Sequence, residues 1–229
     1  MSNYSSSIIK TANIALYKSY CWMSLGLIIT SIIAYLISGS IQIQTLIFNS
    51  SLLNFGIILA QIGVIIFMST MIQKLSYLLM LSLFIIYSLL NGLTLSAIFM
   101  IFNIQSIIGV FFIASGIFII MASYGILTKH DLSSYGTFGL AILSGVLILS
   151  IFNIFFKSGN FDYILSFISV IAISALIAYD MQNTKKVLIE MAYDKRLQNK
   201  MSIYAALSMY INFISLFIRL LHLFGKKKD

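Results

Sequence analysis

Proline is absent from the 229 residues, cysteine occurs once, and only 9% of the side chains are charged. Each shortage excludes something. The lone Cys21 can form no internal disulfide, no paired-cysteine metal motif and no dithiol redox centre. Acids are few as well, six Asp and Glu against fourteen Lys and Arg, so any chemistry built on two carboxylates must find them in a small set. No hydrophilic block exceeds about 25 residues, which leaves no room for a separate soluble domain. Hydrocarbon fills the chain instead: 60% of residues are hydrophobic and the mean hydropathy is +1.03. These values describe a polytopic membrane protein.

Apolar runs lie at about 22–38, 55–71, 77–102, 106–126, 137–156, 163–180 and 203–224. A bilayer core of roughly 30 Å takes about 20 helical residues, so each run suffices, the first two barely. Lipid cannot satisfy open backbone groups, and no alternation suggests a barrel. The expected fold is therefore all-α, one integral membrane domain over residues 1–229 with seven transmembrane helices and a cytoplasmic surface segment at 1–21. In that segment SSSIIKTANIALYKSY sets Ile8, Ile9, Ala12, Ala15 and Leu16 on one side of an interfacial helix. Lys10 and Lys18 ahead of an apolar stretch, with small Ser38 and Ser40 behind it, also imitate a signal peptide; six further spans favour an uncleaved anchor. No internal repeat supports inverted halves of the transporter kind.

The net charge of +8 does not point to nucleic acid, because the basic residues sit in short loops without aromatics set for base stacking. They report topology. Lys10, Lys18, Lys74, Lys129, Lys185, Lys186, Lys195, Arg196 and Lys200 fall on one side, whereas the opposite loops hold only Lys157. The amino terminus is expected in the cytoplasm. Seven full crossings then put Lys226, Lys227 and Lys228 outside, against the same rule, unless the last segment is re-entrant.

Polar residues inside the spans carry the functional signal. In the seventh, ALSMYINFISLFIRLLHLFG, the spacing of Asn212, Ser215, Arg219 and His222 makes one helix stripe. Arg219 and His222 have a plain alternative, snorkelling to the interface, whereas Asn212 is too deep for it and calls for a partner inside the bundle. In LIAYDMQNTKK, Asp180 closes an apolar run, where a carboxylate costs about 2.5–3.5 kcal/mol at mid-membrane. It is either a solvated boundary residue beside Gln182, Asn183, Lys185 and Lys186 or a functional group. Asn91 beside Gly92 in the third span suggests close helix packing and one interhelical hydrogen bond.

LIAYDMQNTKK followed by ALSMYINFISLFIRLLHLFG resembles the carboxyl-terminal signature of the transmembrane Bax inhibitor motif family, in particular its small bacterial members. YKSYCWMSLGLIITSIIAYLI, NGLTLSAIF and YGILTKHDLSSYGTFG extend the likeness over nearly the whole chain. The resemblance implies seven helices with the last enclosed by the other six, in a bacterial inner (plasma) membrane. It also implies that Asp180 faces the bundle interior and acts in proton-dependent calcium permeation, so Asp180 is a candidate calcium ligand. In the family a second aspartate on the last helix completes a pair that cannot easily ionise together; a shared proton closes the pore and its loss opens it. Here the usual LYLDF reads MYINF, so Asn212 stands at that position. An amide can donate to ionised Asp180 but cannot share an acid proton with it. Ser215 replaces a common asparagine, His222 a basic residue, and Arg219 is added one turn earlier.

An enzyme is not expected. Tyr179 and Asp180 supply the first half of an intramembrane aspartyl protease, but no glycine-flanked aspartate supplies the second. The glycine-flanked serine of a rhomboid-like protease is missing too. Zinc binding by His130 and His222 is not expected, since they fall on opposite membrane faces in the seven-span arrangement. Two expectations remain: an ion-permeation protein without a cofactor, its ions calcium or protons, with Asp180, Asn212, Ser215, Arg219 and His222 along the path; or a non-catalytic interaction protein that modulates a membrane protease or stress response.

Overall fold

The structure, a computed structural model, describes residues 2–156 and 159–228. Lys157, the one basic residue expected in its loop, lies outside the described residues. The described chain forms eight α-helices: α1 (Ser2–Ser38), α2 (Ile41–Asn49), α3 (Ser51–Thr70), α4 (Tyr77–Ile101), α5 (Ile104–Leu127), α6 (Ser133–Phe156), α7 (Gly159–Glu190) and α8 (Lys195–Phe224). A short 3-10 turn, Met191–Tyr193, joins the last two. All but α2 are long and apolar enough to cross a membrane, which makes seven candidate spans. The nine residues of α2 reach only about 14 Å, too short to cross.

The helices outrun the apolar runs. α1 is one unbroken helix of 37 residues, so the segment expected at the surface continues directly into the first span. Of its apolar face, Ala12, Ala15 and Leu16 are buried, whereas Ile9 is exposed. α7 continues ten residues beyond Asp180, because the polar side chains there find partners described below. Burial also separates the spans: 61% of the α8 window is buried, against 6% for α3. The polar stripe of α8 is therefore carried by the candidate span with the largest buried share.

The chain divides into two compact units, the first comprising residues 1–101, 187–210 and 228. Here α1 and α4 pack closely through glycine. A Cβ on Gly26 would come within 2.6 Å of the Phe84 ring, and one on Gly92 within 2.7 Å of Ile33. Thr30 Oγ1 donates to the Ser88 carbonyl at 2.9 Å, so the Tyr210 hydroxyl, 2.6 Å away, must donate to Thr30. Phe84 and Tyr87 meet the Tyr210 ring edge-on. The close packing expected at Gly92 is present, and among the described residues the buried Asn91 Nδ2 has no hydrogen-bond partner. Gln61 Nε2 on α3 bonds Thr94 Oγ1 on α4 at 3.2 Å.

The second unit comprises residues 102–186, 211–227 and 229. Its α5 meets the second half of α8 through an aromatic ladder in which Phe111 and Phe118 pack edgewise on Phe213, and Phe111 also on Phe217. After α8 the chain turns back onto the residues preceding α5. Phe102 and Lys227 form an antiparallel bridge, and the Asn103 N–H donates to the Lys226 carbonyl at 3.0 Å. A Cβ at Gly225 would collide with the Leu221 carbonyl and the Phe102 ring, so this turn requires glycine.

Candidate functional site

The centre of the site is one hydrogen bond inside the second unit: Asn212 Nδ2 donates to Asp180 Oδ2 at 2.5 Å. Both residues are half-buried. Pairing of this kind is what low-dielectric surroundings demand, since each group left alone would retain its full desolvation penalty. Asp180 is therefore not simply a solvated boundary residue.

Glycines bring neighbouring backbones onto α7 at the two residues just before Asp180. A Cβ on Gly125 of α5 would run into the Ala178 carbonyl, and one on Gly136 of α6 into the Tyr179 ring. At Gly139 it would lie 3.2 Å from the Ala172 carbonyl, nearly two turns back along α7. Small residues allow this approach where apolar surroundings supply little hydrophobic drive. They fix the height and rotation of α7, and with them the position of Asp180.

Just past Asp180 the α5–α6 loop is fastened to the same helix. The Gln182 carboxamide donates through Nε2 to the His130 carbonyl at 2.7 Å and accepts the Leu132 N–H at 2.9 Å, clamping three residues of loop. Lys185 Nζ reaches the Ile126 carbonyl at 3.0 Å, satisfying an open carbonyl at the end of α5. Lys186 pairs with Asp131 at 3.3 Å. The Ser133 hydroxyl and backbone N–H, with the Lys186 ammonium, hold the Asp131 carboxyl below the usual carboxylate range.

The remaining stripe residues lie towards the other end of α8. Ser215 is half-buried one turn on, and Arg219 lies about 10 Å along the axis from Asn212. Asp162, in the first turn of α7, accepts from Asn153 Nδ2 at 2.9 Å. His222 is exposed and stacks edgewise on Phe102, 6.2 Å between ring centres. His130 lies beyond the other end of the 24-residue α5, a separation of about 36 Å along that helix. Asn212 thus joins Asp180, whereas Arg219 and His222 lie about two to three turns further along α8.

Gly125, Gly136, Asn153 and Asp162 are not among the residues the sequence singles out, and Gln182 stands out there only as a neighbour of Asp180. Their signals were present: Gln182 follows Asp180 by two positions, and both glycines stand in YGILTKHDLSSYGTFG. What sequence does not give is the partner across the gap.

The arrangement offers one carboxylate, a neutral amide donor and a hydroxyl-to-guanidinium stripe. It can attract a cation or hold a proton, but with a single acid it cannot share a proton between two carboxylates.

The chain is similar to known proteins over nearly its whole length. The family model described as "Inhibitor of apoptosis-promoting Bax1" matches residues 12–229. The inner membrane protein YbhL of Escherichia coli K12 is 37% identical over 210 residues, which cover 91% of this chain and 90% of that protein. An uncharacterized protein of Borreliella burgdorferi is 36% identical over 214 residues, 93% of this chain and 92% of the other. Protein RP147 of Rickettsia prowazekii is 32% identical over 214 residues, 93% and 89% of the two chains.

Proposed function

The chain belongs to the Bax inhibitor family, and from that premise we propose that it is a cation-permeation protein of a bacterial inner membrane, with its amino terminus in the cytoplasm. Calcium is the first candidate ion and protons the second. The observation that carries the reading is the bond from Asn212 to Asp180, which joins a membrane carboxylate to the most buried span. A carboxylate in this position is a cation attractor, and its cost in hydrocarbon is hard to explain otherwise.

In this reading α8 acts as the plug and Asn212 as its latch. An amide N–H donates to a carboxyl oxygen whether that group is ionised or protonated, so closure does not depend on a shared proton. Movement of α8 that breaks the bond frees Asp180 for an entering cation, and the Asn212 carbonyl, once turned, adds a hard oxygen of the type calcium prefers. Permeation is then less sensitive to pH than a two-carboxylate pair would make it. No covalent chemistry and no resident cofactor enter the scheme.

The test is ion entry into liposomes containing the purified protein, read with trapped calcium and pH indicators against protein-free liposomes. Calcium or proton entry above the protein-free rate supports permeation. Equal rates would reject it in favour of a non-catalytic protein that modulates a membrane protease or stress response.

A further inference from the structure

Within the first unit, Lys18 and Trp22 of α1, Tyr77 of α4 and Asn199 of α8 line a groove of about 410 Å³ together with Cys21. We propose that this groove binds the phosphate headgroup of an anionic membrane phospholipid.

Three helices present their polar-to-apolar boundary here. Lys18 is the last charged residue before the apolar run that opens at Trp22, Tyr77 is the first residue of α4 and follows Lys74 by three, and Asn199 stands in the polar start of α8. The groove therefore lies at headgroup level, where tryptophan, tyrosine and lysine concentrate. Its chemistry is that of a donor set. Lys18 Nζ gives one hydrogen bond to Asn199 Oδ1 at 3.2 Å and has two further N–H groups, while the Asn199 amide, Trp22 indole and Tyr77 hydroxyl can also donate. No carboxylate lies within ion-pair distance of Lys18 among the described residues. By contrast Lys200 spends its ammonium on the Gln73 and Leu75 carbonyls. A lysine with aromatic neighbours and several donors suits a phosphate diester, and basic pockets between membrane helices take anionic headgroups for this reason.

Cys21 provides the readout, being exposed, part of the groove wall and the only cysteine in the chain. The full-length protein is placed in nanodiscs of phosphatidylcholine alone or with phosphatidylglycerol, and the rate of Cys21 modification by an uncharged maleimide is measured for wild type and Lys18→Gln. A parallel arm adds soluble glycerol phosphate to the phosphatidylcholine discs. The proposal predicts modification slowed about fivefold by phosphatidylglycerol in wild type, the worth of one lysine against an anionic headgroup, and little slowed in Lys18→Gln. Equal slowing in both proteins, or none in wild type, would overturn it. Full protection by glycerol phosphate would overturn the lipid assignment and make the groove a site for free phosphate. Thermal unfolding of both proteins in phosphatidylcholine confirms that Lys18→Gln is folded.

Discussion

Asn212 holds Asp180 through a 2.5 Å hydrogen bond between α8 and α7. An acid at position 212 would change the nature of this contact. Asn212→Asp is expected to create two carboxylates that cannot easily ionise together, adding a proton-binding step that the wild type lacks. Flux measured against pH should become steeper in the variant. Superimposable curves would remove position 212 from any role in gating.

The glycines beside α7 make a prediction about packing. Gly136→Val places a branched side chain against the Tyr179 ring and should destabilise the protein by about 1–3 kcal/mol, the usual cost of overpacking. Gly145→Ala on the same helix meets nothing within 4 Å and should be neutral or slightly stabilising. Thermal unfolding in detergent compares the two; equal losses would mean that the Gly136 approach does not constrain α7.

Gln182→Leu removes both halves of the clamp on the α5–α6 loop. The Leu132 N–H, on a residue only 3% exposed, then loses its acceptor, at a cost of about 1–3 kcal/mol. Hydrogen exchange at Leu132 should accelerate in the variant while exchange in the middle of α5 stays slow. Unchanged protection at Leu132 would mean that another acceptor replaces Gln182.

Composition and apolar runs disclose seven helices, since a bilayer imposes their length and character. Helix ends are less legible, because hydropathy stops where lipid stops and the backbone does not. α7 runs on to Glu190 once Gln182, Lys185 and Lys186 find carbonyls, N–H groups and a carboxylate on the α5–α6 segment. α2 lies hidden in IQIQTLIFN, too short for any length argument. The stripe of α8 is legible as a period, and Asn212 as its member in need of a partner, yet periodicity alone does not say which residue of α7 that partner is. Partners such as Gly125 for Ala178 are set by tertiary packing of residues 53 positions apart.

The tail offers a topological prediction. Lys226 and Lys227 pair with the Phe102–Asn103 turn ahead of α5, and α8 has 30 residues, about 45 Å, enough to cross fully. If the amino terminus is cytoplasmic, as proposed, the tail is expected outside despite its lysines, outvoted by the basic loops. A Lys228→Cys variant in a Cys21→Ser background should react with an impermeant maleimide added to intact cells. Reaction only after permeabilisation would place the tail in the cytoplasm.

Cation passage at Asp180 is tested most directly by calcium flux in liposomes carrying wild type or Asp180→Ala, at matched protein density and with folding of both checked by thermal unfolding. The account predicts that wild type admits calcium and that Asp180→Ala falls to the rate of protein-free liposomes. Flux of equal size through a folded Asp180→Ala protein would contradict it.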